Sequence, residues 1–214
     1  MIITWQGHSC FKIQDKLGTE GITLVADPFD KNVGLKVPNF EADIVTVSHE
    51  HSDHTNVDAL RGKPFLVNSP GEYDYKNVLI EGIDSYHDEE EGKKRGKNTI
   101  YRIEIEDISI THLGDLGHVL ESSQLDKLAG TDILLIPVGG NYTLDAKKAV
   151  EVISQIEPRI VIPMHYKVEG LKIDLESVDK FIKELGIEAS YEDKLKISKK
   201  DLPQDDMELV ILSL

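Results

Sequence analysis

The segment VTVSHEHSDHTN, residues 45–56, constrains the fold more than any other part of the chain. Its opening, Val45-Thr46-Val47, is β-branched and reads as a strand. The strand leads straight into His49, His51, Asp53 and His54, so three of the chain's eight histidines fall within six positions. In an extended segment, residues two apart face the same way. His49 and His51 therefore share a side, and Asp53 continues it. His54 returns to that side if the chain curls into the next element. Neutral imidazole suits zinc, and carboxylate balances the charge of the cation. One zinc needs only three or four such ligands. Four here, with more elsewhere, point to two metals. A polar turn without metal is the plainer alternative, but it would crowd these groups to no benefit.

The other chemically dense stretches also follow strands. ITLVADPF, 22–29, is a strand ending at Asp27-Pro28. The strand 77–86 leads into His87, ISIT into HLGD (112–115), and RIVIPM into His165. If these strands end on one side of a stack, distant histidines and carboxylates converge there on rigid supports. Further strands are predicted at 1–5, 10–14, 42–48, 64–68, 131–139, 158–166, 194–198 and 207–213, with a hairpin over 99–113. Helices are predicted at 121–129, 144–156 and 175–186, a brief one at 55–60, and a loop over 88–98. Strands dominate early and alternate with helices later. That order predicts two stacked sheets with helices on both outer sides. No Pro/Gly/Ser-rich linker interrupts 1–214, so one domain is expected.

Rival chemistries fail on spacing. HEHSD begins like the helical zinc-protease motif HExxH, but its fifth residue is Asp53. No glycine-rich loop ends in Lys-Ser or Lys-Thr, and GDLGH, 114–118, is too short for a nucleotide fingerprint. GxSxG, the serine-hydrolase elbow, is absent. The net charge of −15, from 39 acids against 24 bases, repels phosphate backbones, so a small-molecule substrate is expected rather than long nucleic acid. GKKRGK, 92–97, follows the acidic run DEEE. If it projects over the site it favours a short phosphorylated substrate. Otherwise it is a solvated loop. Cys10 is the only cysteine, which precludes an intrachain disulfide and suits a reducing compartment. Beside Phe11 it reads as core. MIITWQGHSCF lacks the pattern of a secretory leader, and no apolar run reaches membrane-spanning length. A cytoplasmic protein without membrane association is expected. Oligomeric state is not legible.

WQGHSCF, LVADPF, DIVTVSHEHSDH, HLGDLG and VIPMHY occur in an order that resembles the metallo-β-lactamase superfamily. Its mark is His-x-His-x-Asp-His after a strand. The resemblance covers nearly the whole chain and is nearest to the small single-domain metal-dependent hydrolases, including the lactonase-like branch. It implies an α/β fold, the four-layer αβ/βα sandwich, with a dinuclear site along one edge. By motif, His49 and His51 match ligands of the first metal, Asp53 and His54 ligands of the second. Asp115 matches the aspartate bridging both, though it could instead cap the following helix. His165 matches the last histidine of the second metal. His87 best matches the third histidine of the first, with His112 as its competitor.

His8 and Asp27 are further candidates beside the ligands. Asp27 could accept the spare ring N–H of a ligand histidine, and His8 lies in a turn where Gly7 permits close backbone approach. His118 could touch substrate or donate a proton, or only cap local structure. Tyr166 and Asn141 could line the pocket. The implied activity is hydrolysis of a small ester, lactone or phosphodiester by a hydroxide bridging two divalent ions, zinc or manganese. Asp53 or Asp115 would manage the water proton. The alternatives are a metal-dependent nuclease acting on short nucleic acid and a non-haem iron oxidoreductase on the same fold.

Overall fold

Side-chain alternation decides which strand faces become core. In the computed structural model, which describes residues 1–17 and 20–214, Leu24 joins the main core with Ile3, Phe11 and Ile44. Its neighbour Val25 faces the other way, into a smaller cluster with Cys10, Phe29 and Val45. Such a two-sided strand must be covered on both faces, and the chain supplies both covers.

The strands are β1 (Ile2–Gly7), β2 (Cys10–Leu17), β3 (Glu20–Ala26), β4 (Ile44–Thr46), β5 (Phe65–Val67), β6 (Gly71–Tyr75), β7 (Val78–Tyr86), β8 (Lys97–Ile105) and β9 (Ile108–His112). After them come α1 (Ser122–Leu128), β10 (Ile133–Pro137), α2 (Ala146–Ile156), β11 (Ile160–Met164), α3 (Val178–Leu185), β12 (Ala189–Glu192), β13 (Leu195–Lys196) and β14 (Glu208–Leu212). They form a six-stranded sheet, β13-β1-β2-β3-β4-β5, and an eight-stranded sheet, β12-β14-β11-β10-β9-β8-β7-β6. Ile80, Ile103, Ile133 and Val161 of the larger sheet share the main core with the smaller one.

The helices differ from expectation in placement. The steps from β9 to β10 to β11 and on to β12 all move one way across the larger sheet. Right-handed crossovers then put all three helices on one face, where α2 touches both α1 and α3. The outer face of the smaller sheet is covered instead by single 3-10 turns and loops, which contribute Val33, Leu60, Leu171 and Leu175. The sandwich is as expected, with this layer thinner. The brief helix expected at 55–60 is one of those turns, Val57–Ala59.

The helix ends follow local chemistry. Asp145 caps α2 by accepting the Lys148 N–H, and Gly186 closes α3 in the left-handed conformation. Two strands were not expected: β6 (GEYDY) and β12 (ASYE) lie at the two edges of the larger sheet and are largely exposed, with only a short alternation of Tyr73 and Tyr75 in the one and Ala189 and Tyr191 in the other. Among the described residues no helix is long and apolar enough to cross a membrane.

Candidate metal centre

Strand direction gathers the site. β1, β3 and β4 run parallel within one sheet, and β7, β9 and β11 within the other. The loops after these six strands carry His8, Asp27, the 49–54 motif, His87, Asp115 and His165. In open α/β sheets, ligands collect beyond the carboxyl ends of the strands. Three of these residues hold left-handed backbone: His8 at φ 54°, Asp27 at 44° and His165 at 52°. Such strain costs on the order of 1–3 kcal/mol each and persists where the surroundings enforce it. Here the His165 N–H donates to the His8 carbonyl and the Asp27 N–H to the Thr46 carbonyl.

Asp115 is the hub. Its backbone N–H donates to Asn98 Oδ1 at 2.9 Å, and its Oδ1 accepts the Ser9 hydroxyl at 3.3 Å. Its Oδ2 faces four imidazole Nε2 atoms: His87 and His165 at 3.2 Å, His54 at 3.4 Å and His49 at 3.9 Å. Burial pushes this carboxyl's pKa up, but His165 and His54 outweigh it and hold the group well below the usual range. Gly114 is needed beside it. It adopts φ 57°, and a Cβ there would lie 2.3 Å from Asn98 Oδ1.

Asp27 orients two of the histidines. Its Oδ1 accepts the Ser48 N–H at 2.8 Å, and its Oδ2 accepts the Ser48 hydroxyl at 2.6 Å and His54 Nδ1–H at 2.9 Å. Because that hydroxyl donates to Asp27, it accepts from His49 Nδ1–H at 2.9 Å. Both rings therefore turn Nε2 into the cluster, as the spare-nitrogen role expected of Asp27 requires. Burial lowers the pKa of His49 to about 3 and of His8 to about 4, leaving both neutral and able to donate a lone pair. At His54 burial is outweighed by Asp115 and Asp27, which raise its pKa well above the ordinary value. The Nε2 of His54 is thus a position where positive charge is favoured.

The candidate ligand nitrogens fall into two groups that share no residue, and Asp115 faces both. His49, His51 and His87 offer nitrogens within 4.8 Å of one another, and so do His8, His54 and His165. Two nitrogens bound to one zinc at 2.0–2.1 Å sit about 2.9–3.4 Å apart. His49 Nε2 and His51 Nδ1 are 3.0 Å apart, and His8 Nε2 and His54 Nε2 are 3.2 Å apart. Asp53 Oδ2 lies 3.1 Å from His8 Nε2 and 3.7 Å from His54 Nε2. These contacts fit a metal-holding donor set.

Each candidate from the sequence can now be located. The structure brings together His49, His51, Asp53, His54, His87, Asp115 and His165, with Asp27 behind them. His8 lies within the cluster, its Nε2 3.2 Å from His54 Nε2 and 3.1 Å from Asp53 Oδ2. His112 lies apart: its Nε2–H donates to the Ser9 carbonyl and its Nδ1 accepts the Gly114 N–H, so His87 and not His112 faces His49 and His51. His118 is also engaged elsewhere. Its Nε2 accepts the Tyr86 N–H and its Nδ1–H donates to the Val119 carbonyl. Asn141 bonds the Asp174 carbonyl, and Tyr166 is buried against Trp5. Sequence reasoning missed Ser9, Ser48 and Asn98. The first two sit inside quoted motifs, but Asn98, the second residue of β8, carries no local signal. Only tertiary contact joins it to Ser85, Leu113 and Asp115.

A two-sheet α/β sandwich whose strand ends gather a histidine–aspartate cluster of this kind defines the class of metal-dependent enzymes built on the metallo-β-lactamase fold. The family model described as a beta-lactamase superfamily domain matches residues 2–165, and the chain belongs to the metallo-β-lactamase superfamily. A UPF0173 metal-dependent hydrolase of Staphylothermus marinus is 31% identical over 207 residues, covering 85% of this chain and 90% of its own. A crystal structure from Thermotoga maritima, assigned as a Zn-dependent hydrolase of the same superfamily, is 38% identical. It covers 99% of this chain and 97% of its own, with a TM-score of 0.78. A metallo-hydrolase from Ignicoccus hospitalis, 21% identical with a TM-score of 0.62 over 86% of this chain and 90% of its own, shares the fold. The chain is a metal-dependent hydrolase.

Proposed function

We infer that the protein is a dinuclear hydrolase of a small ester, lactone or phosphodiester. The observation that carries this reading is the single oxygen of Asp115, within 3.9 Å of histidines from both groups. His49, His51, His87 and Asp115 would hold one ion. His8, Asp53, His54, His165 and Asp115 would hold the other. Imidazole-rich donors favour zinc, and the carboxylates leave room for manganese. Two bound divalent ions would lower the pKa of a water between them and polarise the bond to be cleaved.

The chain's own residues do the rest. Asp27 and Ser48 fix the rings of His54 and His49. Asp53 is the cluster's partly exposed carboxylate, with 30% of its side chain accessible, so it is placed to pass a proton to solvent. Ser9 and Asn98 hold Asp115 so that one oxygen meets all four rings. The test is a metal count by mass spectrometry on protein as purified, followed by assays with bis-aryl phosphodiester, lactone and thioester substrates. About two ions per chain are expected. His49→Ala and Asp53→Asn should each lower the count and the hydrolysis while keeping the fold. Unchanged stoichiometry in both variants would refute the assignment.

A further inference from the structure

One element of the sequence is not used by the metal cluster, the basic run at 92–97. The structure brings its end to the cluster's mouth. A cavity of about 650 Å3 is lined by His49, His51, Asn68, Ser69, Arg95 and Lys97. That size suits a small molecule. Glu50 is the one carboxylate on its wall, and it is exposed.

The loop is built to hold Arg95 in place. Buried Asp88 accepts the backbone N–H groups of Glu90, Gly92, Lys94 and Arg95 at 2.8–3.0 Å. The Arg95 guanidinium then lies over the Tyr142 ring, 4.9 Å from its centroid, and donates one N–H to the Asn141 carbonyl at 3.2 Å. Neighbouring cations are committed elsewhere: Lys94 pairs with Glu90 and Lys148 with Glu89. Lys97 lies 4.0 Å from Asp84 with both side chains largely exposed, a weak pair. Among the described residues no carboxylate pairs with Arg95. A positioned guanidinium with free donors matches an oxyanion in two-pronged fashion, and in a chain of net charge −15 such a group at the site mouth stands out.

We propose that this cavity is the substrate site and that Arg95 recognises an oxyanion at the end of the substrate remote from the bond cleaved. The proposal rests on the hydrolase reading for the position of the reacting end. The recognition itself is a binding property, measurable without turnover. Glu50 on the wall and exposed Glu91 on the same loop disfavour a polyanion. Lys97 and the Asn68 amide supply further donors.

The test is calorimetric titration of the metal-loaded protein, as purified, with two matched pairs of acids: glycolate against 2-phosphoglycolate, and butyrate against glutarate. Within each pair one carboxylate is common, and the second oxyanion is the variable. At least one pair should show binding about tenfold to a hundredfold tighter for the member with two oxyanion groups, the range of a charge-assisted hydrogen bond. Which pair shows it names the oxyanion as phosphate or carboxylate. In Arg95→Gln, with an unchanged melting profile, that ratio should collapse towards one, and in Tyr142→Leu it should fall part of the way. No gain in the wild type, or an equal gain in wild type and Arg95→Gln, overturns the proposal. Failure of the hydrolase reading would appear instead in the metal count and the turnover assays, leaving these binding ratios readable.

Discussion

Asp27→Asn isolates one atom's worth of chemistry, because it preserves size and removes one acceptor. The aspartate's Oδ1 accepts the Ser48 backbone N–H, while its Oδ2 accepts the Ser48 hydroxyl and His54 Nδ1–H. An amide has one oxygen, so either orientation sets an N–H against an N–H. The backbone donor cannot rotate away, and the amide oxygen stays on it. The Ser48 hydroxyl can turn to accept. His54 escapes the clash only by moving its ring proton from Nδ1 to Nε2, the atom aimed at Asp115 and His8. The lone pair that would bind a cation is then lost. A hydrogen bond to a charged group contributes about 1.5–3 kcal/mol. At about 1.4 kcal/mol per tenfold, metal binding should weaken roughly tenfold to a hundredfold, the range outer partners of metal-bound histidines command. Competition against a chromophoric chelator measures the affinity, and nitrogen chemical shifts report the His54 tautomer. Affinity within about twofold of wild type, with Nδ1 still protonated, would show that Asp27 does not orient the ligand.

Three further outcomes are expected. A Cβ on Gly117 would lie 2.4 Å from the His87 carbonyl carbon and 2.5 Å from the Asp88 nitrogen. Gly117→Ala should therefore displace His87 and lower the metal count in native mass spectrometry, and a full count would contradict the close approach. His118→Ala should cost about 1 kcal/mol in a denaturant melt, from the Tyr86 N–H it leaves unpaired, and leave metal content intact. A loss of metal would place His118 at the centre after all. Cys10 is fully buried, and burial raises its thiol pKa well above the ordinary value. The neutral thiol therefore persists as pH rises past the unfolded value. At about pH 8 a disulfide reagent should titrate no thiol in the native protein and one after denaturation.

The sequence by itself determined the chemistry and the class of fold. HEHSDH after a β-branched strand named four candidate metal-binding groups, because residues two apart lie on one side of an extended chain, with His54 returning to that side if the chain curls. His87, Asp115 and His165 each follow a predicted strand, but their place at the site was legible only through the resemblance to the metallo-β-lactamase superfamily. Tertiary structure decided between groups that local spacing treats alike. His87 follows β7 and His112 ends β9, and these strands run parallel on either side of β8, yet the fold turns His87 to Asp115 and leaves His112 bonded to Ser9. His8, nominated as a neighbour, stands 3.2 Å from His54 because the β1–β2 turn and the loop after β4 meet at one sheet edge. Arg95 gained its role only when a buried Asp88 folded a charged loop over the mouth of the site. Each of these outcomes depends on contacts between segments tens of residues apart. Those contacts come from sheet order and crossover handedness, which no short window of sequence contains.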